Sequence, residues 1–201
     1  MLSIVGFGIC LRIALLVVAA LVLGLSVTLA SHQVVGVVPS PTGYGTFLGA
    51  VGFFASVFGL AGLWLDNIDE KILMTLDTVV SLLYLGGATF LTTAMSGVSS
   101  CTATDSTSIY NRVTSDILSG GCDITEGGML CLHAVSPDGR DLTPARCLTA
   151  LADITFEYVG FVFAMIMVCL GHVLSRRGGG GPPTATWPRQ ASNTTWGGRT
   201  M

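Results

Sequence analysis

Charge is scarce in this sequence: nine basic and twelve acidic residues among 201, with a net charge of -3. Proteins that hold nucleic acid by its phosphates need a dense cationic surface, so that class is excluded. The short signatures of soluble enzymes are missing too. His32, His133 and His172 are scattered without the H-E-x-x-H spacing of a zinc protease, and the run Gly178 to Gly181 lacks the Lys and Ser/Thr of a phosphate loop. The cysteines are too widely spaced for paired C-x-x-C zinc knuckles. No acid, base or nucleophile pair stands out, and the chain is expected to be no enzyme and to use no cofactor or metal.

What the sequence has is apolar surface. Hydrophobic residues make up 51% and mean hydropathy is +0.73, collected into blocks with charge pushed between them. The blocks run from about Arg12 to Ala30, Tyr44 to Leu65, Ile72 to Met95 and Leu148 to Leu174. Each approaches or exceeds the roughly 20 residues that cross a hydrocarbon core. Lipid-exposed backbone must satisfy its own hydrogen bonds, so all four are expected to be helices. The fold class predicted is an all-α integral membrane protein: a four-helix domain over residues 1–175 with spans 12–30, 44–65, 72–95 and 148–174. A cleaved signal peptide competes for the first block, which begins behind one Arg and ends in small residues before Ser31 and His32. The apolar segment before Arg12 and the length of the block favour a retained helix.

Asp66 to Lys71 make a turn so short that the second and third helices are read as an antiparallel hairpin. The outer loop, 96–147, is polar and long enough to be a structured element. Residues 176–201, with GGGG and PP, read as a flexible cytoplasmic tail. Arg12, Lys71, Arg176 and Arg177 fall on one side of a four-span chain, and the positive-inside rule makes that side cytoplasmic. Arg146 flanks the opposite end. Four of the six cysteines (Cys101, Cys122, Cys131, Cys147) share the long loop, which suits disulfides in an oxidising compartment. Both termini are then cytoplasmic, and the acceptor pattern at Asn193 is unglycosylated. Of three possible connectivities, Cys101 with Cys147 and Cys122 with Cys131 is preferred, because the first pair ties the loop at its flanking helices. Cys10 and Cys169 are expected to be buried or lipid-facing.

Gly45, Gly49, Gly52, Ser56 and Gly59 repeat at spacings of four, three, four and three, which puts them on one face where another helix can approach closely. That face serves packing within the bundle or association with a second membrane protein. Asp77, Ser81, Tyr84 and Ala88 form an interior stripe on the third span; Asp153, Glu157, Gly160, Ala164 and Gly171 form one on the fourth. An ionisable residue inside a span is costly and needs a partner. Arg12 and Asp77 share a depth and either pair across helices or part, Arg12 snorkelling to headgroups and Asp77 finding a hydroxyl or water. Asp153 and Glu157 are expected near enough to the outer end to be wet.

The order of these features resembles the fungal MARVEL-domain proteins, particularly the non-classical export group, over residues 1 to about 175. The resemblance lies in Leu11-Arg12-Ile13 opening the first span, Thr75-Leu76-Asp77 early in the third, Ser100-Cys101 just beyond it, and Arg146-Cys147-Leu148-Thr149-Ala150-Leu151-Ala152 leading into an aromatic-rich fourth span with Phe156, Tyr158, Phe161 and Phe163. It implies a four-helix, non-enzymatic protein that organises plasma-membrane domains or works in vesicle trafficking, and it supports the Cys101 to Cys147 bridge. Cys122 and Cys131 lie in an apparent insertion. Membrane lipids, a second copy or other membrane proteins are the expected partners, at the plasma membrane and in secretory vesicles. The alternative expectation is a small proton- or cation-coupled transporter or channel subunit using the intramembrane acids.

Overall fold

The computed structural model describes residues 2–31, 33, 38–62, 70–125, 128–131, 133–136 and 138–177. The Asp66 to Asp69 part of the expected hairpin turn, the tail from Gly178 and the Asn193 acceptor pattern lie outside them. Helix α1 spans Leu2–Ser31, α2 Ser40–Ala61, α3 Glu70–Ala94 and, after the long loop, α6 Thr143–Arg177. All four are long and apolar enough to cross a membrane, and the chain is a multi-pass membrane protein on that ground.

Two helices begin well before the hydropathy blocks. The stretch Leu2 to Leu11 is apolar and continues α1 towards the N-terminus, so Arg12 is an interior residue about 15 Å from Leu2. Helix α6 opens five residues before Leu148. Pro144 suits a first turn, where a missing N–H costs nothing, and the Asp141 side chain accepts from the Thr143 N–H at 2.9 Å. Hydropathy marks the thickness of lipid, whereas caps mark the helix.

The loop between α3 and α6 folds. Helix α4 (Ser106–Val113) is capped by Asp105, whose carboxylate accepts from the Ser108 N–H at 2.9 Å. The single turn α5 (Asp116–Ser119) stops at Gly120, whose φ of 96° an L side chain rarely adopts. A hairpin follows, β1 (Cys122–Thr125) antiparallel to β2 (Gly128–Cys131), with Cys122 opposite Cys131. The all-helical bundle thus carries a small β element in its loop. Two disulfides close it: Cys101 to Cys147, 46 residues apart, and Cys122 to Cys131, nine apart.

Ile117 and Leu118 of α5 pack into the end of the bundle against Leu29, Leu91, Met95, Ala150 and Ile154, beside Cys101 and Cys147. The Arg146 guanidinium donates to the Ile117 carbonyl at 2.8 Å and pins this plug to α6. Arg112 secures the preceding turn by donating to the carbonyls of Ser100 and Ala103. A second core, Val18, Val22, Leu48, Ala55, Val80 and Tyr84, lies deeper among α1, α2 and α3.

Constraining 46 residues against nine gives the two bridges different weights. By loop-closure entropy, C101S/C147S should lose about 4 kcal/mol of unfolding free energy in detergent and C122S/C131S about 2.5; equal losses would contradict the clasp role of the first bridge. Hydrogen bonds from the Ser108 backbone, and then its side chain, hold the Asp105 carboxyl below the usual carboxylate range. A lowered folded pKa stabilises above the unfolded value and is lost on acidification. Amide-exchange protection of α4 should therefore stay constant from about pH 8 to about pH 5 and fall below about pH 4. In D105N that acid dependence should disappear.

Candidate functional site in the bundle core

Buried polar side chains of the four spans form two layers inside the bundle. Nearer the α1 N-terminus, Arg12 Nη1 and Nη2 each donate to one oxygen of Asp77, both at 2.6 Å. The pair is buried, with side-chain exposures of 6% and 7%. A planar guanidinium meeting a carboxylate at both oxygens is the strongest geometry such a pair can take, and it holds both charges where hydrocarbon would exclude either alone. Of the two fates open to Arg12 in the sequence, the structure contains the cross-helix pair.

Arg12 reaches Asp77 by lying across α2. A Cβ on Gly59 would come within 2.6 Å of Arg12 Cζ and 2.7 Å of Nη1. Similar close approach recurs up the α2 face. Gly49 meets the backbone of Leu23, where a Cβ would be 2.6 Å from the Leu23 nitrogen, Gly52 meets the Tyr84 hydroxyl, and Gly45 meets Ser26. With Ser56, all these positions are buried within one copy of the chain. Intramolecular packing therefore occupies the whole small-residue face, and association with a partner cannot use it while the bundle is closed.

In the second layer, the Ser26 hydroxyl donates to Asp153 Oδ2 at 2.6 Å. Glu157, one turn further along α6, lies against α2 and α3: its Oε1 would be 3.5 Å from a Cβ on Gly45 and 2.9 Å from one on Gly87. Tyr84 returns the contact, its ring 2.9 to 3.1 Å from a Cβ on Gly160. Each large residue thus sits on the glycine three places beyond the other, a reciprocal fit that antiparallel helices allow. Exposure is 0% for Asp153 and Tyr84 and 1% for Glu157 and Ser81. The expectation that the two acids are wet is corrected: the α5 plug and the Cys101 to Cys147 clasp close the end of the bundle above them.

The stripe Asp77, Ser81, Tyr84 and Ala88 is buried throughout, as are Asp153, Glu157, Gly160 and Ala164. Gly171 is half-buried beside Met74. Ser26 and Gly87 were not singled out from the sequence. Ser26 lies 14 residues after Arg12, close to four helical turns and so on the same face, and Gly87 belongs to a Gly-Gly pair one turn past Tyr84. Both signals are weak without the neighbouring helix. Cys10 and Cys169 are free and exposed on the bundle perimeter, where lipid would cover them.

Among the described residues no three His, Cys, Asp or Glu side chains gather to hold a metal. A groove of about 550 Å³ opens at the loop end, lined by Pro39, Pro41, Phe90, Val98, Asn111 and Asp116 among others. It touches none of the core acids. Comparison with family models, with curated proteins and with solved structures finds no match to this chain.

Removing one member of a buried pair strands the other charge. D77N should lower stability in detergent by about 3 kcal/mol or more, whereas R12M/D77L should recover most of the loss. Gly59→Leu should resemble D77N by displacing Arg12; wild-type stability in both single variants would show that the pair does not hold the bundle together.

Proposed function

We propose that this chain is a non-enzymatic membrane protein that organises plasma-membrane domains and serves vesicle trafficking through lateral contacts in the bilayer, as its resemblance to the fungal MARVEL group implies. In this reading the disulfide-bonded loop is extracytoplasmic and both termini are cytoplasmic. The observation that carries it is the division of the surface. The ionisable side chains Arg12, Asp77, Asp153 and Glu157 are turned into the bundle, while α2 presents Phe47, Phe54 and Phe58 outward, 54%, 70% and 44% exposed. These rings lie on a common side at spacings of seven and four, leaving an aromatic ridge for lipid tails or neighbouring proteins. The glycine face does not perform this role, being internal.

A rigid scaffold suits the proposal. Arg12 with Asp77 and Cys101 with Cys147 fix opposite ends of the bundle, so the perimeter keeps one shape as neighbours exchange. Fold resemblance remains an associational ground for function, and the perimeter is the physical one.

One observation favours a second reading, a proton- or cation-coupled transporter or channel subunit: Asp153 and Glu157 lie in the core with no basic side chain bonded to them among the described residues. Against it, the groove at the loop end does not reach these acids.

Two measurements separate the readings. A C-terminally tagged chain should give a patchy plasma-membrane signal, with loop cysteines labelled from outside only after reduction, and crosslinking in native membranes should capture neighbours that F54A/F58A reduces several-fold. A uniform intracellular signal and a strict monomer would reject the organising role. Flux in reconstituted vesicles that changed in E157Q would favour transport.

A further inference from the structure

The second polar layer has an imbalance that the membrane-organising reading leaves unused. A carboxylate only accepts hydrogen bonds. Asp153 receives the Ser26 hydroxyl on Oδ2, but buried Asp153 Oδ1 and Glu157 Oε2 have no hydrogen-bond partner among the described residues. Tyr84, buried with its ring against Gly160 one turn from Glu157, also has a hydroxyl without a hydrogen-bond partner among the described residues. The acids are four residues apart on one helix and so face the same way, within about 6 Å at Cβ.

No cation balances them among the described residues. From α1 comes Ser26; Arg12, 14 residues or about 21 Å away along that helix, is held by Asp77. From α2 come Gly45 and Tyr44, whose hydroxyl donates to the Leu83 carbonyl. From α3 come Ser81, Tyr84 and Gly87. On α6 itself Arg146 is two turns towards the loop, and its guanidinium reaches the Ile117 carbonyl. Two ionised carboxylates side by side in such surroundings repel each other and forfeit their hydration, a cost that one bound proton removes.

The geometry points to a proton-binding site in the bundle core in which Glu157 carries the proton and Asp153, already served by Ser26, is its negative neighbour. A proton, taken from water, fits where a hydrated or fully coordinated metal ion does not. Glu157 lies directly against Gly45 and Gly87, with no room for a shell of oxygen ligands, and among the described residues no third acid, His or Cys joins the two. Protonated Glu157 becomes a hydrogen-bond donor, with the unpartnered Asp153 Oδ1 one turn away on the same helix face as an acceptor. Gly87 and Gly45 then act as walls that keep the carboxyl in place. This inference requires neither transport nor membrane organisation.

The test is infrared spectroscopy of the full chain in nanodiscs of neutral lipid at pH 7, reading the C=O stretch of a protonated carboxyl, which is distinct from ionised carboxylate. The wild type should show this band. It should be lost in E157Q, kept in D153N and unchanged in D105N, where the altered acid lies in the loop. Should E157Q fail to fold, E70Q/E126Q leaves Glu157 as the sole glutamate, and carboxyl-labelled glutamate should then shift the band by its isotope effect. No band at pH 7, a band that survives E157Q, or a band insensitive to the label would overturn the assignment. A band present in choline buffer and abolished by sodium or potassium would overturn it in favour of an alkali-cation site.

Discussion

The Arg12 to Asp77 contact is the constraint on which the arrangement of the spans depends. It joins α1 to α3 over the surface of α2, and neither charge can stay in hydrocarbon without the other. A bidentate pair fixes distance and rotation together, because both guanidinium nitrogens must meet both carboxylate oxygens. Once α1 and α3 are so related, α2 can only lie where its glycines face them. Gly59 is the clearest case, since a side chain there would occupy the space of the guanidinium. The burial of one charge pair and the composition of a neighbouring helix are thus one fact.

Further along, the same logic uses smaller interactions. Ser26 binds Asp153 across α1 and α6, and Tyr84 and Glu157 exchange places over Gly160 and Gly87. Without a hydrophobic effect between helices in lipid, close packing and polar contacts must supply association. The bundle combines them: glycine brings backbones together where a polar side chain has to reach the next helix. Its loop end is closed differently, by apolar packing of Ile117 and Leu118 beneath a disulfide. Ser26, Asp153 and Glu157 lie beneath this closure, at most 1% exposed.

Much of this was legible in the sequence and some was not. Hydropathy located the four spans because lipid imposes a minimum apolar length, but it could not see that Leu2 to Leu11 continue α1 or that Asp141 and Pro144 start α6 early. The periodic small residues identified a packing face; only the neighbours revealed that α1, Tyr84 and Arg12 fill it. Depth along the helices made Arg12 and Asp77 candidates for one another and left the outcome open, since rotation about the helix axes is not written in either segment. Asp153 and Glu157 were read as wet because a polar loop gives no sign that two of its residues fold back as a plug.

The position of Cys147 has a consequence for how the chain is made. Cys101 follows the third span, while Cys147 lies in the first turns of the fourth. In the proposed orientation these thiols meet on the oxidising side only after the last helix has been threaded and turned to face the third. Closure of the native bridge then requires the start of the fourth helix, and a chain that stops short of it holds Cys101 either free or paired wrongly with Cys122 or Cys131.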